Sequence, residues 1–381
     1  MDLRLTPEQD AFLESARAWL AAHTPAGGHA PPGSAEDVAA SRAWDRALFD
    51  AGWSVLTWPK RYGGRDATPM EWILFEQAYH EAHAPYRLSA NGISLLAPTV
   101  LEFGTEAQKE EILRPMARGD VLWAQAWSEP EAGSDLAALK SRATPVPGGF
   151  RLDGRKTWSS HSASADMAFG LFRTGGQSGR HRALTYILLP LDAPGIAIEP
   201  IRRLDRLASF SEITFTNVFV PESAVLGEVG RGWSVAMATT GSERGFSLRS
   251  PGRFTAAADR LERLLTPEIV DAFPDLADRV LDVRLDAEAY RLHVLQSVSK
   301  IALGTFGPGD ASLEKLHWSE LEVRLNVLAL ELLALQPDAD ADTRIWLESF
   351  VAALPGTIWG GTSEIQRNIV AQRVLDLPRS Y

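Results

Sequence analysis

The hydrophobic pattern of this chain changes twice, from helical to strand-like and back to helical, and that order restricts the folds open to it. Residues 1–120 contain three helix-start signals in which a Thr N-cap precedes a Glu or Gln at N3: Thr6-Pro7-Glu8-Gln9, Thr68-Pro69-Met70-Glu71 and Thr105-Glu106-Ala107-Gln108. Gly104 and Gly119 predict helix ends, and the Pro- and Gly-rich residues 25–35 predict a loop. A helical N-terminal domain follows from these signals.

The middle of the chain is rich in short β-type segments separated by Gly, Pro and Asp turns. The predicted strands are residues 149–154, 184–189, 195–198 and 212–218. Helical periodicity returns over 232–265, 267–305, 310–335 and 339–353, with breaks marked by Pro274, Pro308 and Pro337. An apolar stripe at helical spacing predicts a bundle core or a subunit interface: Leu321, Leu325, Leu328, Leu332 and Leu335. The order indicates an α+β multidomain chain with domains over 1–120, 121–228 and 229–381.

Composition narrows the classes of function. Lys and Arg number 38 against 49 Asp and Glu, a net charge of −11, so non-specific nucleic-acid binding is not expected. The 381 residues include no Cys, which excludes disulfides, thiolate metal centres and a Cys nucleophile, and no metal site is expected. The first residues lack a signal-peptide pattern and no long apolar run is present, so a cytoplasmic protein without membrane partners is expected.

Residues 123–136 form the first segment whose residues suit ligand binding, at the change from helical to strand-like pattern. It reads Trp-Ala-Gln-Ala-Trp-Ser-Glu-Pro-Glu-Ala-Gly-Ser-Asp-Leu. Hydroxyls and free backbone N–H groups in such a loop suit a polar ligand or a phosphate. A simple turn explains the same residues.

Residues 156–160, Lys-Thr-Trp-Ser-Ser, lie at the end of a predicted strand. A Trp beside paired hydroxyls offers a flat apolar wall with hydrogen-bonding groups at its edge, which suits a planar aromatic cofactor. The alternative is a buried strand Trp flanked by surface serines.

Residues 358–369, Ile-Trp-Gly-Gly-Thr-Ser-Glu-Ile-Gln-Arg-Asn-Ile, form the third segment. The paired glycines allow close backbone approach, and Thr362 or Ser363 can cap the following helix. The N-terminus of that helix would suit a phosphate.

The three segments, taken in this order, resemble the acyl-CoA dehydrogenase family. The resemblance is carried by residues 126–135, by 156–160 and by 360–367, and extends over nearly the whole chain. It implies an N-terminal helical domain, a central β-barrel and a C-terminal four-helix bundle. It also implies FAD as the cofactor, and a dimer or tetramer, built from one kind of chain or from two.

The resemblance assigns site residues by position. Contacts to the flavin ring are implied for Gln125, Trp127, Ser128, Trp158, Ser159 and Ser160. Contacts to the cofactor phosphates or the adenosine are implied for Ser134, Thr362 and Glu364. Contacts to the acyl-CoA are implied for Ser134, Arg244, Trp359 and Gly360.

The family reaction, which the resemblance implies here, converts an acyl-CoA to the trans-2-enoyl-CoA. A carboxylate removes the α-proton while the β-hydrogen leaves as hydride to flavin N5, and an electron-transfer flavoprotein is the expected electron acceptor. In many members the base precedes Gly-Thr of the C-terminal segment, where this chain has Gly360. Another branch carries it on a helix just before an arginine, and Glu243-Arg244 matches that position, so Glu243 is the expected base.

The chain departs from the family pattern in two places. The usual Gly-Gly-rich loop ahead of the C-terminal segment is missing, since residues 347–355 run straight into it. The Arg-x-x-Phe-Gly segment, from which a neighbouring subunit reaches FAD in other members, is absent, and residues 249–275 contain Arg249, Pro251 and Arg253 instead. The missing segment motivates one alternative, a non-catalytic or cofactor-sharing subunit of a heteromeric dehydrogenase. A flavin oxidase or acyl-carrier-protein dehydrogenase on the same scaffold is a second alternative.

Overall fold

The computed structural model describes the backbone of residues 4–25, 33–175, 177–204, 207–244, 249–336 and 340–378, and their side chains except at 177–179, 242–244 and 340–342. Most of the predicted loop at 25–35, and the predicted break at Pro337, lie outside these residues. The described α-helices are α1 (Pro7–His23), α2 (Ala35–Asp50), α3 (Pro69–Glu81), α4 (Ala97–Phe103), α5 (Glu106–Ala117), α6 (Gly232–Arg244), α7 (Pro251–Glu262), α8 (Pro267–Ala272), α9 (Pro274–Ala302), α10 (Pro308–Leu333), α11 (Asp340–Ala353) and α12 (Ser363–Arg373). A π-helical turn, Asn91–Leu96, leads into α4.

The predicted helix starts are confirmed. Thr6, Thr68 and Thr105 each accept a hydrogen bond from the N3 backbone amide, and the N3 side-chain oxygen accepts one from the backbone amide of the cap residue. Gly104 follows the end of α4, and Gly119, with φ of +74°, follows α5. These signals were readable from sequence because a capping box is closed within four residues.

The middle region forms one mixed sheet. Its strands are β1 (Trp123–Ala126), β2 (Arg142–Val146), β3 (Gly149–Ser160), β4 (Met167–Arg173), β5 (Leu184–Pro190), β6 (Ile196–Ile201) and β7 (Phe210–Pro221). The strand order is β1-β4-β2-β3-β7-β6, and β5 pairs with β4. Strands β3, β5 and β7 contain three of the four predicted segments, and β6 contains the fourth except for Gly195, which precedes it.

The sequence patterns missed β1, β2 and β4. Strand β4 is buried at six of its seven positions, so it lacks the apolar–polar alternation of a half-buried strand. Strand β1 has only four residues, and β2 contains Pro145, which weakens a strand signal.

The sequence pattern correctly predicted helices in the C-terminal third of the chain, but it did not predict all of their boundaries. The segment 232–265 is two helices, because α6 ends at Arg244 and α7 begins at Pro251. Pro274 and Pro308 start α9 and α10, as predicted. Four leucines of the predicted stripe are buried, whereas Leu335 lies beyond the end of α10 and is 39% exposed.

Packing divides the chain into two compact units, each made of separate chain segments. One unit combines α1 and α3 with α7–α12, and its core is filled by Phe254, Tyr290, Trp318, Leu325 and Leu332. The other combines α2, α4, α5 and α6 with the sheet, whose core contains Phe150, Phe172, Ile187, Ile213 and Phe215. The three sequence domains over 1–120, 121–228 and 229–381 remain a prediction.

Candidate functional site

Trp158 is held near the end of β3 in a backbone conformation that few L-residues adopt. Its φ is +61°, within the irregular stretch of β3–β7 pairing that follows Lys156. The indole is 60% exposed and contacts the Phe210 ring edge-on, with the ring centroids 6.3 Å apart. A left-handed non-Gly residue costs about 1–2 kcal/mol, and such strain concentrates at functional sites. Strain combined with an exposed aromatic face indicates a binding surface.

A buried hydroxyl without a partner lies next to that surface. Ser159 is fully buried, and its Oγ makes no hydrogen bond to any described residue. The Ser160 carbonyl accepts a hydrogen bond from Asn91 Nδ2 at 3.3 Å, which ties the end of β3 to the π-helical turn. A buried hydroxyl left unpaired costs about 1–3 kcal/mol, so a group that binds here and pairs with Ser159 is favoured.

The first-signature loop, residues 126–135, runs beside the end of β3. The Trp127 indole is buried and meets the rings of Phe169 and Tyr186 edge-on, at centroid distances of 6.3 and 6.0 Å. This side chain therefore packs in the sheet, and the backbone of Trp127 is the part left for the implied flavin contact. The Ser128 carbonyl accepts a hydrogen bond from the Thr157 amide at 2.9 Å, which joins the loop to β3.

An ion pair beneath the loop is buried at both ends. Lys156 Nζ lies 2.9 Å from Glu129 Oε1 and donates to the Trp127 carbonyl at 3.1 Å. The Glu129 carboxylate also accepts hydrogen bonds from the backbone amides of Lys140 and Ser141, at 2.6 and 2.8 Å. Burial lowers the pKa of Lys156 to about 8, although the charge of Glu129 opposes that shift.

Burial alone would raise the pKa of the Glu129 carboxyl. The charge of Lys156 and the hydrogen bonds that the carboxylate receives outweigh it, so its pKa lies below the ordinary value. Glu129 is therefore ionised and paired at neutral pH.

Two other predicted residues of the loop region differ in exposure. Gln125 is half-buried on β1, opposite Phe169 of β4. Ser134 is exposed beyond the tight turn that Glu129 and Ala132 close with two backbone hydrogen bonds of 3.0 Å. Ser134 is thus accessible to a ligand in this unit.

Helix α6 carries the predicted base, Glu243, in its last turn. One turn earlier, the buried Thr239 hydroxyl lies 2.8 Å from the Thr99 hydroxyl of α4 and 3.3 Å from the Tyr186 hydroxyl of β5. These contacts fix α6 against the rest of its unit. The side chains of Glu243 and Arg244 lie outside the described residues, so their predicted roles remain predictions.

The C-terminal signature, residues 360–367, is a tight glycine turn leading into α12. Gly360 and Gly361 have φ of +66° and +95°, which favours glycine at both positions. Thr362 caps α12 by accepting from the Ile365 amide at 3.3 Å, as predicted. Buried Gln366 donates to the carbonyls of Gly360 and Gly361 at 2.9 and 3.0 Å, which holds the turn against the helix.

Glu364 is exposed in the first turn of α12. Hydrogen bonds from its own backbone amide and from Thr362 lower the pKa of its carboxyl. The side chain is therefore ionised and accessible, as an implied contact to the adenosine requires.

Trp359 packs in its own helical unit. Its ring lies 5.2 Å from that of Trp318, and the Arg249 guanidinium lies over both rings at 5.2 and 5.3 Å. Arg253 forms an ion pair with Glu322. The two arginines that stand in place of the missing family segment thus make contacts within this unit.

The residues of the sheet unit suit a flat, polar-edged group such as the flavin of FAD. Trp158 offers an exposed apolar face, and Ser159 offers a hydroxyl that has no described partner. All six residues implied to contact the flavin ring have uncharged side chains, so none of them repels an anionic cofactor. The chemistry of the site therefore fits FAD.

The described parts of the chain contain no group of three or more His, Cys, Asp or Glu side chains that could hold a metal ion. No helix in them is long and apolar enough to span a bilayer.

Family comparison identifies the class of the protein. The acyl-CoA dehydrogenase N-terminal, middle and C-terminal domain models match residues 6–120, 124–218 and 230–375. The chain therefore belongs to the acyl-CoA dehydrogenase family. The acyl-CoA dehydrogenase IpdE1 of Mycobacterium tuberculosis is 35% identical over 345 residues, covering 89% of this chain and 88% of that protein.

Solved structures with the same fold cover the chain almost completely. A steroid acyl-CoA dehydrogenase titled Tcur3481-Tcur3483 superposes with a TM-score of 0.87 at 25% identity, over 100% of both chains. A structure titled PigA with FAD and proline superposes with a TM-score of 0.82 at 21% identity, over 98% of this chain and 99% of that one. The expected family, the α+β fold class and FAD as the cofactor of this class are confirmed.

Four supporting residues were not singled out from the sequence: Glu129, Lys156, Asn91 and Gln366. Lys156 had a readable signal, because it continues the inward-facing alternation of Phe150 and Leu152 along β3. A lysine at an inward position of a strand requires a buried partner. Asn91 and Gln366 gave no such signal.

Proposed function

We propose that this chain is an FAD-dependent acyl-CoA dehydrogenase that forms a trans-2-enoyl-CoA. The observation that carries the proposal is the strained, exposed Trp158 beside buried Ser159, whose hydroxyl has no partner among the described residues. These two residues, in a chain of this family, offer the wall and the edge that a flavin ring needs. When bound, FAD supplies the redox chemistry by taking the β-hydrogen with its electron pair.

Glu243 takes the α-proton in this proposal. A carboxylate in a dry site is a stronger base than in water, because desolvation disfavours its charged form. Gly360 leaves no carboxylate at the position used by many relatives, and its φ of +66° would strain any other side chain there. The α6 helix that carries Glu243 is anchored one turn earlier by Thr239.

The acyl group of the substrate is bulky or ring-bearing in this proposal. Support comes from the steroid acyl-CoA dehydrogenase that superposes on the whole chain. The same structure is named for two proteins, Tcur3481 and Tcur3483, which supports assembly with a second chain. Loss of the Arg-x-x-Phe-Gly segment is the feature of this chain that agrees with such an assembly.

The proposal is tested by anaerobic titration of the purified, FAD-loaded protein with a panel of acyl-CoA thioesters. Bleaching of the visible flavin absorbance by a ring-bearing acyl-CoA, and less by a short straight-chain one, is the expected result. A protein that binds FAD only with a second polypeptide present would favour the partner-subunit alternative. Rapid reoxidation of the reduced flavin by air would favour the oxidase.

A further inference from the structure

The two signature segments of the sheet unit are joined by one buried structure, here called the Lys156–Glu129 clamp. It consists of Lys156 Nζ, the Glu129 carboxylate and the Trp127 carbonyl. Lys156 is fully buried and Glu129 is 8% exposed. The clamp is therefore buried, two positions before Trp158 on β3, and none of its three groups belongs to the set implied to touch FAD through a side chain.

Burying two opposite charges is a poor way to gain stability. The cost of removing both ions from water commonly equals or exceeds their attraction, and apolar replacements of similar volume are often neutral or stabilising. The contacts of the clamp instead fix positions. Lys156 bonds to both the backbone and a side chain of the first-signature loop, and the Phe172 ring lies 5.1 Å from its Nζ.

The clamp determines which way the loop backbone faces. Two carbonyls of the loop accept hydrogen bonds from β3. The Trp127 carbonyl accepts one from Lys156 Nζ, and the Ser128 carbonyl accepts one from the Thr157 amide. In a trans peptide the C=O and the N–H point in opposite directions. The Ser128 amide, which shares a peptide with the Trp127 carbonyl, therefore points away from Lys156.

The same residues determine where Trp158 lies. Lys156 and Thr157 immediately precede it, and both are bonded to the first-signature loop. The left-handed backbone of Trp158 persists only where its surroundings hold it.

We propose that Lys156 and Glu129 are positioning residues for the flavin: the clamp holds the Ser128 amide and the Trp158 ring in the arrangement that binds the isoalloxazine ring. This inference rests on the proposed FAD site and adds to it a pair of residues that do not touch the cofactor.

The test replaces both charges with similar-sized neutral groups, in the double variant Lys156→Met/Glu129→Gln. The matched control is Lys140→Met/Glu131→Gln, which removes an ion pair of the same kind from the same loop region, exposed at 69% and 75%. Three properties are measured for each protein: the FAD dissociation constant of the apo form, the visible spectrum of the bound flavin, and the thermal midpoint of the apo form.

The double variant should retain the thermal midpoint of the apo protein but bind FAD about 10- to 100-fold more weakly, the loss seen when the supporting partners of metal ligands are removed. Its bound flavin should also show a shifted visible spectrum, which a merely structural role would not produce. The control should match the wild type in all three properties.

Wild-type affinity and spectrum in the double variant would overturn the inference, and so would a lower thermal midpoint with unchanged affinity. If the double variant does not fold, Glu129→Gln alone, which keeps the bond from Lys156 to Trp127, must still weaken FAD binding. Equal affinity in that variant would equally overturn it. Failure of the wild-type protein to bind FAD at all would instead contradict the proposed function.

Discussion

Replacing Trp158 with alanine removes the apolar wall and should weaken FAD binding. The side chain of a Trp presents up to about 250 Å², and with 60% of the residue exposed about 150 Å² is open to a ligand. One face of the ring would cover roughly half of that, about 75 Å², worth about 2 kcal/mol at 25 cal/mol per Å². That free energy corresponds to a rise of about 30-fold in the dissociation constant.

Titration of the apo protein with FAD measures this change directly. Phe219→Ala is the matched control, because Phe219 is 44% exposed on the same sheet but packs beside Arg151, at the other end of β7 from Phe210. The control should bind FAD like the wild type. An affinity of Trp158→Ala within about threefold of the wild type, or an equal loss in Phe219→Ala, would refute the assignment of Trp158 to the flavin surface.

Two further predictions follow from the same region. Trp158→Gly should give an apo protein about 1 kcal/mol more stable than Trp158→Ala in chemical denaturation, because only glycine adopts a φ of +61° without strain; equal stabilities would contradict the strain. FAD affinity should fall as pH rises through about 8, because Lys156 then loses its charge, whereas the double variant Lys156→Met/Glu129→Gln should show no such fall. The free energy of unfolding of the apo protein should instead rise over the same pH range. The pKa of Lys156 is lower in the folded chain than in the unfolded chain, so above about pH 8 the unfolded chain holds more protons. Raising the pH therefore favours the folded chain at this group. Parallel pH profiles for affinity and stability would contradict the clamp's role.

Local signals in this sequence predicted local structure well. The capping boxes at Thr6, Thr68 and Thr105, and the cap at Thr362, each involve residues three positions apart. Chain order and spacing of the three segments were enough to recognise the family, and with it the fold class and the cofactor.

Long-range contacts were beyond the reach of the same patterns. Lys156 and Glu129 are 27 positions apart, and only the pairing of the first-signature loop with β3 brings them together. Burial of the Trp127 ring between Phe169 and Tyr186 likewise depends on β4 and β5. Strand β4 itself was missed because burial on both faces removes the alternation that marks a strand.

In the proposed reaction, Glu243 removes the α-proton of an acyl-CoA bound at the flavin. Glu243→Gln keeps the size of the side chain and removes its basic oxygen, so FAD should bind as in the wild type. Glu110→Gln, which changes an exposed carboxylate of α5 in the same way, is the control.

The most direct measurement is the rate at which the bound flavin bleaches when the anaerobic protein is mixed with the acyl-CoA that reduces the wild type fastest. Glu243→Gln should bleach about 10²- to 10⁴-fold more slowly than the wild type, the usual contribution of a positioned base, while Glu110→Gln should keep the wild-type rate. Wild-type bleaching in Glu243→Gln, with FAD fully bound, would contradict the assignment of the base.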